Sequence, residues 1–381
     1  MQEFGHDSIK KNPGIRMYDQ QFILKNKFTK QKLTLLLRVS EKNIVKAAKF
    51  VEPSFSSHSL SKKFERSSWE EALTSISSVP LQTTYHHQTA LVLAFERLLP
   101  ELFTVPQRAK FLRTIILELE RMEHHLLILE NMARGFSFSL LLGKIKSLRK
   151  ILCKIKQRMT QNSAANPFIT FGGVAFSLKD RFISSVISVL PQLDRKITSI
   201  ARIFKRNPLL TKHFEDVGFL PRDVAKELAL VGPLARSSGI TIDVRKSAPY
   251  GAYDQVSFSI PVSDSCDLLG ELQVYIDELG ESLTIISELL RNLPEGEPFV
   301  PVNNFEIKTT NTIVRLEAPA GELFVFCFSQ NGSLNEQLRR YQITTPLQIN
   351  SQGILARITG EILENIPAIL LSFSNCWQFP R

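Results

Sequence analysis

The sequence is poor in cysteine and has no long apolar run. Of its 381 residues only four are cysteines, which stand far apart with no Cys-x-x-Cys pair: Cys153, Cys266, Cys327 and Cys376. This spacing argues against a disulfide framework and a cysteine-rich metal site, and it favours a reducing compartment. No apolar run reaches the roughly 18 residues that a spanning helix needs, and residues 1–30 are too polar for a secretory signal. We therefore expect a chain that lies outside the bilayer but can sit on a membrane surface.

Nucleotide-binding and metal-binding signatures are also missing. No G-x-G-x-x-G or Walker pattern follows a predicted strand, and Gly172-Gly173 is interpreted as a turn. The histidine pairs 86–87 and 124–125 lie near several glutamates, but Glu120 and His124 are four residues apart, whereas a di-iron bundle site needs Glu-x-x-His on two helices. A catalytic zinc signature is absent as well. Capping and buried hydrogen bonds are the favoured alternative for these histidines.

Hydrophobic residues make up 43% of the chain, which is enough to bury a core and excludes disorder as the main state. The periodicity indicates an α+β fold, mainly α: a central bundle of long helices with small antiparallel sheets in the N- and C-terminal parts. We expect a divergent β-rich section in residues 1–80, a helical core in 81–302, and a C-terminal hairpin and helix in 303–381 that pack back on the core. Together they form one integrated domain.

Individual elements follow from the spacing of apolar residues. Two alternating segments, QFILKNKF and KLTLLLRVS, predict a β-hairpin, and Pro106 begins a helix that continues to about residue 132. The serine-rich residues 53–78 give no clear pattern. The remaining predictions are helices at 139–159, 180–204, 221–230, 267–292 and 352–364, and antiparallel strands near 305–328.

The chain is basic, with 47 Lys and Arg against 37 Asp and Glu. The second long helix places Lys146, Lys150, Lys154 and Arg158 at strict four-residue spacing on one face. Such a face is most often simply solvated, but it can also dock a partner or an anionic membrane. Nucleic acid is not expected as a partner, because no aromatic interleaving or known binding module accompanies the charge.

Three phrases in the core resemble a known superfamily: HQTALVLAFERLL, VPQRAKFLRTIILELERMEHHLLIL and VGFLPRDVAKELALVGPLARSSGITIDVRKSAPYGAYD. They look like the large subunit of group 4 membrane-bound nickel-iron hydrogenases of the formate hydrogenlyase type, and like the homologous 49-kDa subunit of respiratory complex I, the D subunit of NADH-quinone oxidoreductase. The resemblance runs from about residue 87 to 302 and continues more weakly in RLEAPAGEL and at the C-terminus. The GPLARSSG and PYGAYD phrases favour the hydrogenase branch.

The resemblance implies a bundle that docks on an iron-sulfur small subunit, a complex I 30-kDa-like subunit and membrane-arm subunits. It also implies a peripheral position on the cytoplasmic side of a bacterial or archaeal membrane. An iron-sulfur cluster is expected in the partner, no cofactor is expected in this chain, and a quinone is a possible substrate.

The resemblance locates a nickel-iron site whose ligands are mostly lost here. In the hydrogenases, four cysteine thiolates hold the metals. The matching positions are Pro80, Thr83, Cys376 and Phe379, so one thiolate remains. The arginine of the family's Ala-Pro-Arg-Gly phrase is Ala320. Hydrogen chemistry by this chain is therefore not expected.

The complex I branch places quinone-binding His and Tyr residues at positions that correspond to Asn12 and to the Pro80-Leu81 pair. The usual headgroup donors are thus missing, although Tyr18, Tyr85 or His86 can substitute after a small shift of the alignment. The donor candidates of a redox-active subunit are His87, Tyr85 and Cys376. As a lone thiol, Cys376 is more often a small buried hydrophobe.

Most of the retained positions in the matched phrases are expected to form buried ion pairs that support the old site, and breaking such a pair typically costs about 3–5 kcal/mol. These positions are Arg113, Glu118, Arg121, His125, Arg222, Arg236, Asp243, Arg245, Tyr250 and Asp254. We expect a scaffold and coupling subunit of a membrane-associated oxidoreductase complex. The alternative is a redox-active subunit that reduces a quinone or another acceptor with electrons from the iron-sulfur partner.

Overall fold

The described part of the chain is built mainly of helices. The computed structural model describes residues 17–26, 32–51, 58–78, 83–101, 103–161, 167–302, 307, 310–329, 338–373 and 377–378. The helices are α1 (His58–Phe64), α2 (Trp69–Ser78), α3 (Thr84–Glu96), α4 (Gln107–Gly135), α5 (Ser139–Met159), α6 (Asp180–Arg206), α7 (Pro208–Phe214), α8 (Arg222–Glu227), α9 (Gly232–Arg236), α10 (Val244–Ser247), α11 (Leu268–Arg291), α12 (Pro346–Ile358) and α13 (Ile366–Phe373).

The strands form three small antiparallel sheets, so the α+β, mainly α class is confirmed. The strands are β1 (Met17–Asn26), β2 (Lys32–Ser40), β3 (Val45–Val51), β4 (Ile169–Thr170), β5 (Gly173–Val174), β6 (Thr310–Ala318), β7 (Gly321–Ser329), β8 (Arg340–Thr344) and β9 (Trp377–Gln378). The first sheet has the order β3-β2-β1-β9, the second pairs β4 with β5, and the third has the order β6-β7-β8. In the predicted N-terminal hairpin, Met17 pairs with Ser40.

Helix α4 is the centre of the bundle. It is buried almost all round, which is characteristic of a helix enclosed by other elements. Helices α5 and α11 pack against it, and α6 packs against both of them. The predictions for α4, α5, α6 and α11 are confirmed to within a few residues, because each helix carries a clear apolar period. No helix in the described ranges is long and apolar enough to cross a membrane.

Several sequence predictions of helices were wrong or incomplete. Within the unassigned residues 53–78, Ser68 and Glu71 form a capping box at the start of α2: the Ser68 amide donates to the Glu71 carboxylate at 2.9 Å. The helix predicted at 352–364 instead begins at Pro346, because Thr345 and Gln348 form a second capping box. The predicted 221–230 helix is confined to α8. Elements α1, α13 and β8 were not predicted.

A close approach of two backbones fixes the turn between β6 and β7. Gly232 has φ +69°, and a Cβ atom there would lie 2.3 Å from the Ala320 carbonyl oxygen and 2.6 Å from the Gly321 Cα atom. The Asn350 side chain spans the same contact, since it accepts from the Val231 amide at 3.0 Å and donates to the Val231 carbonyl at 3.1 Å. The C-terminal sheet therefore sits directly against the start of α9.

We predict that Gly232→Ala lowers the free energy of unfolding by more than about 2 kcal/mol, because the methyl group meets backbone atoms in a left-handed conformation. The matched control is Gly280→Ala in α11, where a Cβ atom would meet nothing within 4 Å. That change should stabilise the helix by about 0.5–1 kcal/mol. Denaturant unfolding of both variants measures the difference. Equal stability of the two variants would contradict the close approach.

Candidate functional site

The start of α3 lies where the resemblance locates the first pair of metal ligands. Thr83 is the residue before the helix, and the Nδ1–H of His87 donates to the Thr83 carbonyl at 2.7 Å. This bond places the proton of a neutral ring on Nδ1 and the lone pair on Nε2. Burial lowers the pKa of His87, so the ring is neutral at physiological pH. Only 7% of the His87 surface is exposed.

Glu120 of α4 caps the start of α3. Its carboxylate accepts from the backbone amides of Tyr85 and His86, each at 3.0 Å, and from the His86 ring Nδ1 at 2.7 Å. A carboxylate at this position satisfies helix N–H groups and interacts favourably with the helix dipole. One histidine of the first pair thus contributes to capping and buried hydrogen bonding, the alternative to metal ligation that the sequence favours.

The Tyr85 phenol belongs to a different cluster from His87. Burial raises the pKa of Tyr85, while a hydrogen bond with Thr160 and the charge of Lys156 oppose that rise. Lys156 pairs with Glu123, and the Cys153 thiol donates to the same carboxylate at 3.3 Å. The two donor candidates at the start of α3 therefore differ: Tyr85 engages the end of α5, and His87 engages Thr83.

Glu118 of α4 is the centre of a completely buried ionic core. Its carboxylate lies 3.2 Å from the Nε atom of Arg121 and 3.2 Å from the Nη1 atom of Arg245. It also accepts hydrogen bonds from the hydroxyls of Tyr253 and Ser282. Burial alone would raise the pKa of Glu118, but the two guanidinium groups outweigh burial and lower this pKa to about 2.

Arg236 of α9 extends the ionic core to α11 and β6. Its guanidinium lies 2.7 Å from Glu278 and 2.8 Å from Glu317. Glu278 in turn accepts from the His125 ring at 2.8 Å. Burial opposes ionisation of Glu278, yet Arg236 outweighs it and lowers the pKa of this carboxyl. Burial also lowers the pKa of His125 despite this partner, so the ring is neutral.

Asp243 joins the two halves of the core. Its carboxylate lies 2.6 Å from the Nη2 atom of Arg245 and 3.8 Å from Arg236, and it accepts from the Arg245 amide at the start of α10. Burial disfavours its charge, but Arg245 lowers its pKa. The Asp243 carboxylate thereby lies between Arg245, which pairs with Glu118 of α4, and Arg236, which pairs with Glu278 of α11.

Glu317 is the exception among the four carboxyls. Its side chain accepts from Arg236 and from the Val244 amide, yet burial and the nearby Asp243 charge raise its pKa to about 7. The count of charges agrees with this rise, of which burial is the largest cause. The core contains four carboxyls, three arginines and a neutral histidine: Glu118, Asp243, Glu278, Glu317, Arg121, Arg236, Arg245 and His125. One carboxyl is therefore in excess, and holding a proton on Glu317 brings the core to neutrality.

Arg121 connects the ionic core to the turn that carries Ala320. Its guanidinium donates to the backbone carbonyls of Glu317 and Ala318. The Tyr250 hydroxyl supports the same strand by accepting from the Glu317 amide at 3.1 Å. The β6–β7 turn, where the related hydrogenases place an arginine, is thus positioned by buried groups but presents only a methyl side chain at residue 320.

Arg113 acts at the other end of α3. It makes a two-pronged pair with Glu96 and donates to the Thr170 and Gly173 carbonyls at 2.8 and 3.0 Å. Glu96 also accepts from the Gly172 amide at 2.9 Å. This pair clamps the β4–β5 turn onto α3 and α4, which is a structural role. It agrees with the interpretation of Gly172-Gly173 as a turn.

Two of the retained residues are not members of a buried ion pair. Asp254 and Arg222 are exposed and make no ion pair with another described residue, because each lies on the outer side of a short helical segment. Pro80, Cys376 and Phe379 lie outside the described residues. Of the four positions that match metal ligands in the hydrogenases, the described residues therefore include only Thr83.

The residues that the structure describes near these positions do not fit a nickel-iron centre. Thr83 offers a hydroxyl and Ala320 a methyl group where the related hydrogenases have a thiolate and an arginine. The described thiols, Cys153, Cys266 and Cys327, lie in separate elements, and burial raises the pKa of each, that of Cys327 to about 12. Protonated, separated thiols are poor ligands for soft metals.

Sequence reasoning missed Glu278, Ser282 and Tyr253, and it treated Glu317 only as part of a phrase. A signal did exist for α11: Glu271, Glu278 and Ser282 are spaced by seven and four residues on its apolar face. Glu271 forms a second buried pair, 2.6 Å from Arg357 of α12, and accepts from the Ser372 hydroxyl of α13. A charged residue on an apolar helix face signals a buried partner.

We predict that Glu317 makes stability depend on pH. A carboxyl whose pKa rises from 4.5 to about 7 on folding contributes stability that is fully present below about pH 4.5 and is lost as the pH rises to about 7. Glu317→Gln, which cannot ionise, should flatten this decline in urea midpoints measured from pH 5 to 8. Glu322→Gln, at the surface pair with Arg315, should leave the decline unchanged. An identical decline in wild type and Glu317→Gln would contradict the assignment.

Comparisons with known proteins find one matching family model and several similar proteins. A model of the respiratory-chain NADH dehydrogenase 49 Kd subunit matches residues 144–309. The D subunit of NADH-quinone oxidoreductase from Nocardia farcinica is 27% identical, covering 89% of this chain and 83% of its own length. Its counterpart from Nitratiruptor sp. is 28% identical, with 89% and 87% covered. The D subunit of F(420)H(2) dehydrogenase from Methanosarcina mazei is 26% identical, with 86% and 88% covered.

These relatives are named as subunits of NADH-quinone oxidoreductase or F(420)H(2) dehydrogenase, so the closer similarity to the hydrogenase branch stays a prediction. The family model and the extent of the matches point the same way. The chain resembles the 49-kDa subunit of respiratory-chain NADH dehydrogenase along most of its length.

Proposed function

We propose that this chain is the 49-kDa-like subunit of a membrane-associated, quinone-reducing oxidoreductase complex, and that it acts as a scaffold and coupling subunit without a nickel-iron centre. The relatives are named as subunits of NADH-quinone oxidoreductase, which supports the type of complex. The assembly would include an iron-sulfur small subunit, a 30-kDa-like subunit and membrane-arm subunits. The chain would lie peripherally on the cytoplasmic side of the membrane.

The ionic core is the observation that carries the scaffold role. It ties together α4, α9, α10, α11 and β6 through groups that are at most a few per cent exposed. Its charges are used in mutual pairing, so they are not available to a substrate. A rigid network of this kind can transmit a displacement at one helix to the others, because paired buried charges cannot separate without a large cost.

To test the assembly, the tagged full chain should be purified gently from its native membranes and its companions identified by mass spectrometry. We expect an iron-sulfur subunit and antiporter-like membrane subunits to co-purify. Metal analysis of the separated chain should give nickel well below one atom per chain, since Thr83 and Ala320 supply no thiolate or guanidinium. A chain that emerges alone, or that retains stoichiometric nickel and iron, contradicts the proposal.

The redox-active alternative is favoured by one feature, the His87 ring. Its Nδ1–H is fixed by the Thr83 carbonyl, and no described residue bonds to its Nε2 atom. In this tautomer Nε2 is an acceptor, so it can accept a hydrogen bond from the O–H of a reduced, quinol headgroup. In this version the electrons come from the iron-sulfur partner, and a positioned acid supplies the proton to the reduced acceptor. Tyr85 is a weaker candidate, because its hydroxyl engages Thr160.

His87→Gln separates the two versions. If His87 positions the acceptor, quinone reductase activity of the intact purified complex should fall at least about 100-fold. If His87 is a scaffold residue, the substitution should change the stability of the complex but leave the turnover per assembled complex unchanged. We expect this second result. The matched control is His213→Gln, at an exposed histidine in α7. Assembly is checked by mass spectrometry of each preparation.

A further inference from the structure

The positive charge of the molecule is concentrated in one pair of helices. Residues 139–206, which run from the start of α5 to the end of α6, contain fourteen Lys and Arg and two Asp and Glu, a net charge of +12. The whole chain carries +10, so all other residues together carry −2. Helix α5 contains no acidic residue at all. A general excess of basic residues would not produce this segregation.

Most of these cations face solvent without a partner. Lys146, Lys150, Lys154 and Arg158 of α5 are exposed, as are Arg181, Arg195, Arg202, Lys205 and Arg206 of α6. None of these nine makes an ion pair with another residue in the ranges described. By contrast, Arg149 and Lys156 pair with Glu130 and Glu123 of α4. The inward cations thus hold α5 on the bundle, and the outward ones remain available.

A groove between α5 and α6 opens within this surface. It has a volume of about 360 Å³ and is lined by Ser139, Leu140, Gly143, Lys144, Ser147, Lys196 and Ser199. The two ammonium groups are held across it, since Lys144 donates to the Ser199 hydroxyl at 2.9 Å and Lys196 donates to the Ser147 hydroxyl at 2.8 Å. Ammonium and hydroxyl donors on both walls suit the oxygens of a phosphate group.

Exposed leucines flank the same end of the helix pair. Leu140 lies at the edge of the groove and is 70% exposed, and Leu209 of α7 is 61% exposed. The rings of Phe138 and His213 have centroids 6.1 Å apart, so α7 lies beside the start of α5. Apolar side chains beside a cationic helical face are the combination by which peripheral proteins contact a bilayer surface. If the partner were an acidic protein surface, these exposed leucines would not be required.

We propose that the α5–α6 face, defined by the nine exposed cations and the Lys144–Lys196 groove, docks on an anionic phospholipid surface. The groove takes a headgroup phosphate, and Leu140 contacts the acyl boundary. The surface does not depend on the proposed function, because neither the ionic core nor His87 contributes to it. It adds a direct lipid contact to whatever attachment partner subunits provide.

The test is co-sedimentation of the purified full chain with vesicles of phosphatidylcholine alone or with about a third phosphatidylglycerol. We expect binding only to the anionic vesicles, weakening with added salt. Replacing Lys146, Lys150 and Lys154 by Glu should weaken binding about 100-fold or more at low salt. Lys144→Gln with Lys196→Gln should weaken it about 10-fold through the groove.

The matched control replaces Lys42, Lys46 and Lys62 by Glu, which are exposed lysines of other elements and give the same change in net charge. This control should bind within about 3-fold of wild type. Circular dichroism of each variant establishes that it is folded. The proposal is overturned if both triple variants bind anionic vesicles equally well. It is also overturned if the wild-type chain does not co-sediment with anionic vesicles. Cross-links from Lys150 to an acidic subunit without vesicle binding, or binding of RNA alone, also overturn it.

Discussion

The pairing of Glu118 with Arg121 and Arg245 is the interaction on which the rest of the architecture depends. Glu118 lies on the central helix, Arg245 belongs to α10, and Arg121 reaches the backbone of β6. Without the carboxylate, two buried guanidinium groups would repel each other in a medium of low polarity. Since these segments are far apart in the sequence, the pairing also fixes which of them meet.

This dependence explains why the interior tolerates so much charge. Buried ions are costly individually, and replacement by apolar residues is often neutral for stability. What the ions supply here is specificity of arrangement: each guanidinium has a limited set of directions for its donors, and Glu118, Glu278 and Glu317 each accept from at least two elements. The raised pKa of Glu317 is part of this balance, because protonation of this carboxyl removes the one charge that the arginines do not offset.

The sequence predicted the helices of the bundle, the N-terminal hairpin and most members of the ionic core, including Glu118, Arg121, His125, Arg236, Asp243 and Arg245. Those residues lie in long matched phrases, and the bundle helices have strong periodicity.

The sequence did not predict that Glu120 caps α3, because that contact joins residues 34 positions apart and leaves no local pattern. Helices α1 and α2 were hidden by serine-rich composition, although the capping box at Ser68 is a local signal. Asp254 and Arg222 show the opposite failure: matched phrases do not distinguish a buried charge from an exposed one.

The separation of charge between the α5–α6 pair and the remainder of the chain has a consequence for how this molecule moves. A body with +12 between the start of α5 and the end of α6 and −2 elsewhere has a large permanent electric dipole. In the field of any charged object such a dipole experiences a torque before contact, within about a Debye length of roughly 8–10 Å at moderate salt. The molecule therefore turns as it approaches, and encounters begin from a narrow range of orientations rather than from random ones. Salt would slow productive association by widening that range, even where the final contacts are uncharged.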